Sequence, residues 1–237
     1  MFYFMTFVAL SFVFMHTLEL IASHARFAGK ILGKNATGYS VQNATFTLTR
    51  FLNILLMPIL GYLIDVGVNV QDYLLMVTTS LFGAGVMGGV VFYFRRNIVC
   101  YYINVIKLFN SGKGLLSSIF NAFNRNKKIE ETFFTYKIQP RFFILGLLIY
   151  TLYSIGVFSS YLAALKYPDY RLSISQMSGV VNALATILLT IKLDPMLSRV
   201  FDAPNSDGSE FFSILLGRIF GVLFLSPTLF FIFYLIV

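Results

Sequence analysis

Tryptophan is absent from the 237 residues, cysteine occurs once and histidine twice. Cys100 has no partner in the chain, which excludes an intrachain disulfide. His16 and His24 are too far apart for a His-Glu-x-x-His zinc motif. No Gly-x-x-x-x-Gly-Lys-Ser/Thr string occurs. Gly29 to Lys34, with Gly33 before the lysine, has the wrong spacing for a nucleotide loop. Acids number only ten, and Glu19, Asp65 and Asp194 alone lie near membrane depth, too few to converge on a hydrolytic site. No metal, nucleotide or other cofactor is therefore expected.

What the chain has in quantity is hydrocarbon. It is 57% hydrophobic and 12% charged, with a mean hydropathy of +0.78, values outside the soluble class. A spanning helix needs about 20 mostly apolar residues. Six stretches qualify, roughly 2–22, 38–64, 73–94, 142–165, 173–193 and 211–236, and the fold expected is an all-α membrane protein of one polytopic domain. Between the third and fourth spans, residues 95–141 carry Arg95, Arg96, Lys107, Lys113, Arg125, Lys127, Lys128, Lys137 and Arg141 against Glu130 and Glu131, which is +7 of the net +8. Basic excess placed between hydrophobic segments sets topology rather than binding nucleic acid. The basic segment and the first connection, with Arg26, Lys30 and Lys34, are expected to be cytoplasmic, and the second connection, with Asp65 and Asp72, external. Both termini then fall outside and the connection from Asp194 to Glu210 falls inside. Leu115, Leu116, Ile119, Phe120 and Phe123 recur at helical spacing beside Arg125, Lys127 and Lys128, a pattern that suits a helix on an anionic lipid surface. A basic topogenic loop with some apolar packing fits the same residues. Three spans on each side of the long segment would fit an inverted 3+3 repeat.

Polar residues form stripes inside these spans. At about 100° per residue, His16, Glu19, Ser23 and Arg26 share one face of the first helix. In the second, Ser40, Asn43, Thr47 and Arg50 share one arc, Gln42, Thr45, Thr49 and Asn53 another, and Val41, Ala44, Leu48, Phe51, Leu52 and Leu55 fill an apolar strip suited to lipid. The fifth repeats the device with Ser175, Gly179, Asn182, Thr186 and Thr190. Such faces are expected to meet protein or water, because an unsatisfied polar group in hydrocarbon costs several kcal/mol. Arg50 and Arg218 are the deepest cations, and a charge at the bilayer centre costs about 2.5–3.5 kcal/mol on insertion scales. Glu19 is the nearest acid by depth, one carboxylate for two guanidinium groups, which leaves at least one for an anion such as a lipid phosphate or diphosphate. The alternative is an internal pair of Glu19 with Arg50 or Arg26, with Arg218 reaching the interface. Ser80, Ala84 and Gly88, Gly85 and Gly89, and Gly217 and Gly221 have the spacing of close helix contacts. Pro58 and Pro227 each remove a helical hydrogen bond.

These residues resemble a known family. His16-Thr17-Leu18-Glu19, then Arg26, Ala28-Gly29, Thr49-Arg50, Asn53, Pro58, Gly61 and Asp65, is similar to the first two helices of the Amj family, the alternate lipid II flippases of bacteria. Ser175-Gln176-Met177-Ser178-Gly179, Asn182, Ala185-Thr186-Ile187-Leu188-Leu189 and Asp194-Pro195 follow in the same order and register, as do Gly217, Gly221 and the proline of the last helix. The segment from about 97 to 140 departs from the pattern and is shorter. The resemblance implies movement of undecaprenyl-diphosphate-linked peptidoglycan precursor from the inner to the outer leaflet of the cytoplasmic membrane. It supplies no catalytic residues, so site roles rest on physical reasoning. Arg26, Arg50 and Arg218 are expected to hold the diphosphate, Asn43, Asn53, Gln176, Asn182 and Thr186 to line the path of the sugars, and His16 and Glu19 to couple a proton or ion. The partners expected are the lipid-linked precursor, membrane lipids and a second copy of the chain, because six short helices make a narrow cavity. A non-transporting adaptor for cell-wall enzymes and a lipid phosphatase or transferase using Glu19 and His16 are the alternatives.

Overall fold

The structure, a computed structural model, describes residues 1–124, 137–203 and 208–237. Arg125, Lys127, Lys128, Glu130 and Glu131 lie outside the described residues. Among those described, all regular structure is helical: α1 (Phe2–Ile31), α2 (Asn35–Asp65), α3 (Val70–Tyr93), α4 (Arg95–Asn110), α5 (Leu115–Asn121), α6 (Pro140–Lys166), α7 (Arg171–Ile187), α8 (Asp194–Asp202), α9 (Ser209–Phe220) and α10 (Ser226–Ile236). A π-helical turn, Leu188–Leu193, joins α7 to α8, and another, Gly221–Leu225, joins α9 to α10. Six helical stretches are long and apolar enough to cross a membrane: α1, α2, α3, α6, Pro168–Asp202 and Ser209–Ile236.

The helices depart from the sequence expectation in the basic segment, where Arg95–Asn110 is helix rather than loop, and at two places next to α2 and α7. The connection from Asp194 is not a loop at its start, since helix continues through α8 to Asp202. Pro195 lacks an N–H, and the π turn Leu188–Leu193 directly before it changes the local hydrogen-bonding register, so the helix runs on past the proline. Also, α1 runs to Ile31 and carries Arg26 in regular helix.

Glycine sets the close crossings. Gly33, at φ +64°, makes the turn between α1 and α2, and Gly29 then lies so near Gly38 that a Cβ on either would fall 2.8 Å from the other's Cα. A Cβ on Gly146 would fall 2.6 Å from the Ile214 carbonyl, and Gly217 and Gly221 press on the backbone of α6 at Phe143 and Leu147. Lipid offers helices little hydrophobic reason to associate, so such van der Waals contact, with polar links, holds the bundle. Ser154 and Ser226 hydroxyls lie 2.6 Å apart between α6 and α10, and Tyr73 of α3 donates to the Phe158 carbonyl at 2.9 Å. Gly89 of the expected α3 pair faces open space.

Outside the spans, α4 is strongly amphipathic, with Val99, Ile103 and Ile106 buried. The α5 segment returns against it through Tyr101, whose hydroxyl donates to the Ile119 carbonyl at 2.9 Å. Burial raises the Tyr101 and Tyr102 hydroxyls above their ordinary range, so both stay neutral. Leu116, Phe120 and Phe123 stand exposed.

The packing leaves a cleft between α2 and α7. Helix α2 packs on α1, and α7 packs on α6 with only Ser178 and Ala185 fully buried. Between α2 and α7 runs a gap floored by α1 and α6, and cavities follow it along its length.

Candidate functional site: a cleft between α2 and α7

Glu19 lies midway along α1, 6% exposed. Its Oε2 accepts from Arg218 Nη2 at 2.9 Å, and its Oε1 accepts from Tyr153 at 3.0 Å and Thr49 at 3.2 Å. Four spanning segments thus converge on one carboxylate. Arg218 Nη2 also donates to the His16 carbonyl at 3.2 Å, and its guanidinium carbon sits 4.3 Å from the centroid of the Tyr150 ring. Arg218 Nη1 and His16 Nδ1 are buried without a partner. The sequence left at least one of Arg50 and Arg218 open for an anion, with a pair of Glu19 to Arg50 or Arg26 as the alternative; the structure gives the carboxylate to Arg218, which is 2% exposed. That arrangement removes Arg218 from the open cations, since a buried ion pair holds its partners firmly once formed.

Arg50 is placed differently. With Glu19, Phe46, Tyr150, Tyr153, Ala185 and Thr186 it borders a cavity of about 40 Å³ between α2, α6 and α7, room for two or three waters at ~10–15 Å³ each. Among the described residues it has no carboxylate partner. A neighbouring cavity of about 20 Å³ brings together His16, Glu19, Asn53 and Asn182, and the Asn182 Oδ1 is buried without a donor. Thr186 spends its hydroxyl on the Asn182 carbonyl at 2.8 Å while lining the Arg50 cavity. Asn43 is exposed two turns away on α2. Of the strip of α2 that the sequence assigned to lipid, Leu48, Phe51 and Leu55 are at least half exposed, whereas Val41 is buried in the core and Leu52 packs against it.

The two ends of the cleft differ. At the end rich in Lys and Arg it is tied shut. Arg26 donates to Asp194 Oδ1 at 2.6 Å, to the Asp194 carbonyl at 2.9 Å and to Ser198 Oγ at 2.6 Å. Tyr39 stacks beneath its guanidinium at 4.8 Å, and Asn35 donates to Asp202 at 2.8 Å. Arg26 was expected to meet an anion; here α8 satisfies it, and it is 3% exposed. At the opposite end a groove of about 660 Å³ lies open between the same two helices, with Gln176 on its wall. Arg171 bridges it loosely, 3.8 Å from Asp65, and the Ser178 hydroxyl reaches Met57 Sδ at 3.9 Å.

Of the residues the sequence expected at the site, the structure gathers His16, Glu19, Arg50, Asn53, Asn182 and Thr186 around the two inner cavities. Gln176 lines the open groove, Arg26 is held by α8, and Asn43 is exposed on α2 and lines none of these cavities. Sequence reasoning missed Tyr150, Tyr153, Asp194 as the partner of Arg26, and Arg171. A signal existed for the tyrosines: Tyr150, Tyr153 and Tyr161 fall on one face of α6 by helical spacing.

Similarity to known proteins bears on this cleft. No solved structure matches the chain. A curated protein of Bacillus subtilis (strain 168), "Lipid II flippase Amj", is 27% identical over 204 residues, covering 79% of this chain and 76% of the relative. The family model described as "Alternate to MurJ" matches residues 11–236, which takes in every helix that lines the cleft. A six-span helical protein with a polar cleft, matched from α1 to α10, belongs to the Amj family.

Proposed function

We propose that this chain is a lipid flippase that moves undecaprenyl-diphosphate-linked peptidoglycan precursor, lipid II, from the inner to the outer leaflet of the bacterial cytoplasmic membrane. The observation that carries the reading is the position of Arg50. It is a cation midway along α2 that is exposed on the helix yet borders a small cavity in the α2/α7 cleft, without a carboxylate of its own among the described residues, while Arg26 and Arg218 are buried and each have one. A guanidinium fork matches diphosphate oxygens and keeps its charge at any physiological pH. The name of the Bacillus subtilis relative supports the same substrate.

In this reading the Lys- and Arg-rich end is cytoplasmic, and the conformation is closed to the cytoplasm and open outward. The diphosphate travels against Arg50, the sugars pass the amides of Asn53, Asn182 and Gln176, and the polyprenyl tail stays in lipid through the gap between α2 and α7. Closing the outer groove and parting α8 from α1 would hand Arg26 from Asp194 to an arriving diphosphate. Glu19 and Arg218 neutralise each other and hold α1, α2, α6 and α9 together around the moving charge.

In a flippase-deficient strain, Arg50→Ala is expected to abolish complementation while membrane protein levels stay normal, and Arg50→Lys to restore part of it. Normal growth on Arg50→Ala would reject the anion site.

A further inference from the structure

The groove at the end of the cleft away from the basic segment has a composition the transport path alone does not call for. Its volume, about 660 Å³, is that of a site for a drug-sized ligand rather than a surface dent. Asp65 on one wall and Asp169 and Arg171 on the other put both signs of charge on its rim, and Gln176 and Tyr161 add an amide and an aromatic ring. The contact between Arg171 and Asp65 is loose, a single approach at 3.8 Å with the Asp65 side chain 74% exposed. Arg171 Nη1 also reaches the Asp65 carbonyl at 3.4 Å, and its Nε is buried with no acceptor. The guanidinium therefore has donors to offer a carboxylate from outside, and the two acids can accept an ammonium. Two carboxylates beside the cation would repel a diphosphate, so the groove suits a different part of the substrate from the one Arg50 suits.

We propose that this groove is a subsite for the zwitterionic saccharide–peptide head group, with Arg171 taking a peptide carboxylate and Asp65 and Asp169 a peptide ammonium; this rests on the transport reading above. Distance agrees. From Arg50 to Gly61, inside the groove, is ~16 Å along α2 at about 1.5 Å per residue, and a peptide of about five residues reaches ~17 Å. A head group anchored by its diphosphate at Arg50 is long enough to fill the groove. The runs that carry the family resemblance, Pro58 to Asp65 and Ser175-Gln176, face each other across it.

The test uses purified protein in nanodiscs, with Cys100→Ser and Gln176→Cys, labelled by a polar maleimide. The probe is the soluble N-acetylglucosaminyl-N-acetylmuramyl peptide, without diphosphate or lipid. It is expected to slow labelling at position 176 at least fivefold and to leave a Tyr3→Cys control unchanged. The disaccharide without peptide is expected to protect far less, and Arg171→Ala to remove the protection. Unchanged labelling with millimolar probe, or protection that survives Arg171→Ala, would overturn the subsite. Lipid II flipping by the wild-type protein, measured in parallel, separates the two claims. Flipping without protection rejects the subsite alone, whereas protection without flipping supports the subsite and rejects the transport reading.

Discussion

Glu19 shows how much one side chain decides in this molecule. It is a lone carboxylate at depth, receiving a guanidinium, a phenol and a threonine hydroxyl from three other spanning segments. A buried pair gains little net stability when made, but losing one member leaves an uncompensated charge and typically costs about 3–5 kcal/mol. Glu19→Gln is therefore expected to lower stability by about 3 kcal/mol, read as a fall in the thermal unfolding midpoint in detergent. The double variant Glu19→Gln with Arg218→Met should recover a substantial part. Additive losses in the double variant would show that the two residues act separately. The sequence placed Glu19 on the polar face of α1 and flagged its shortage relative to the arginines. It did not reveal which arginine wins, because that depends on which helices become neighbours, and α9 meets α1 through the rings of Phe211 and Phe212 against His24 and Phe27, residues far apart in the chain.

Among the elements, α7 and α8 form the half of the cleft most free to move. Helix α7 buries only Ser178 and Ala185 fully, and few buried contacts mean a low local cost of displacement. The π turn at Leu188–Leu193 interrupts regular hydrogen bonding where α8 begins, and such turns recur at functional places in helices. If α8 is the cytoplasmic gate, linking it to α2 should stop the cycle. Asn35→Cys with Asp202→Cys, in a Cys100→Ser background, places two thiols where a 2.8 Å hydrogen bond now ties α2 to the end of α8. Oxidation is expected to cut flipping more than tenfold and reduction to restore it; an oxidised protein that flips normally would show that the gate lies elsewhere. The polar stripe of the fifth span was legible as a periodic pattern. The continuation of its helix into α8 was not, because Asp194-Pro195 reads as a break, whereas the π turn before the proline lets the helix run on.

For the whole molecule, the six spans were legible from hydropathy, and the uneven charge from counting Lys and Arg. The cleft was not, since it arises from the failure of α2 and α7 to pack together, a property of two helices distant in sequence. One end of that cleft is clasped by Arg26 and Asp194 and the other is barely bridged by Arg171 and Asp65, which is the asymmetry expected of a carrier caught facing one side. The most direct test is transport by this protein alone. Vesicles are reconstituted with the purified chain and a fluorescent lipid II, and a membrane-impermeant reductant is added outside. Protein-free vesicles lose about half of the signal, the outer-leaflet share. With the protein present, nearly all of the signal is expected to be lost within minutes, and Arg50→Ala is expected to return it to half. A plateau at half with the wild-type protein, correctly folded and inserted, would contradict the account.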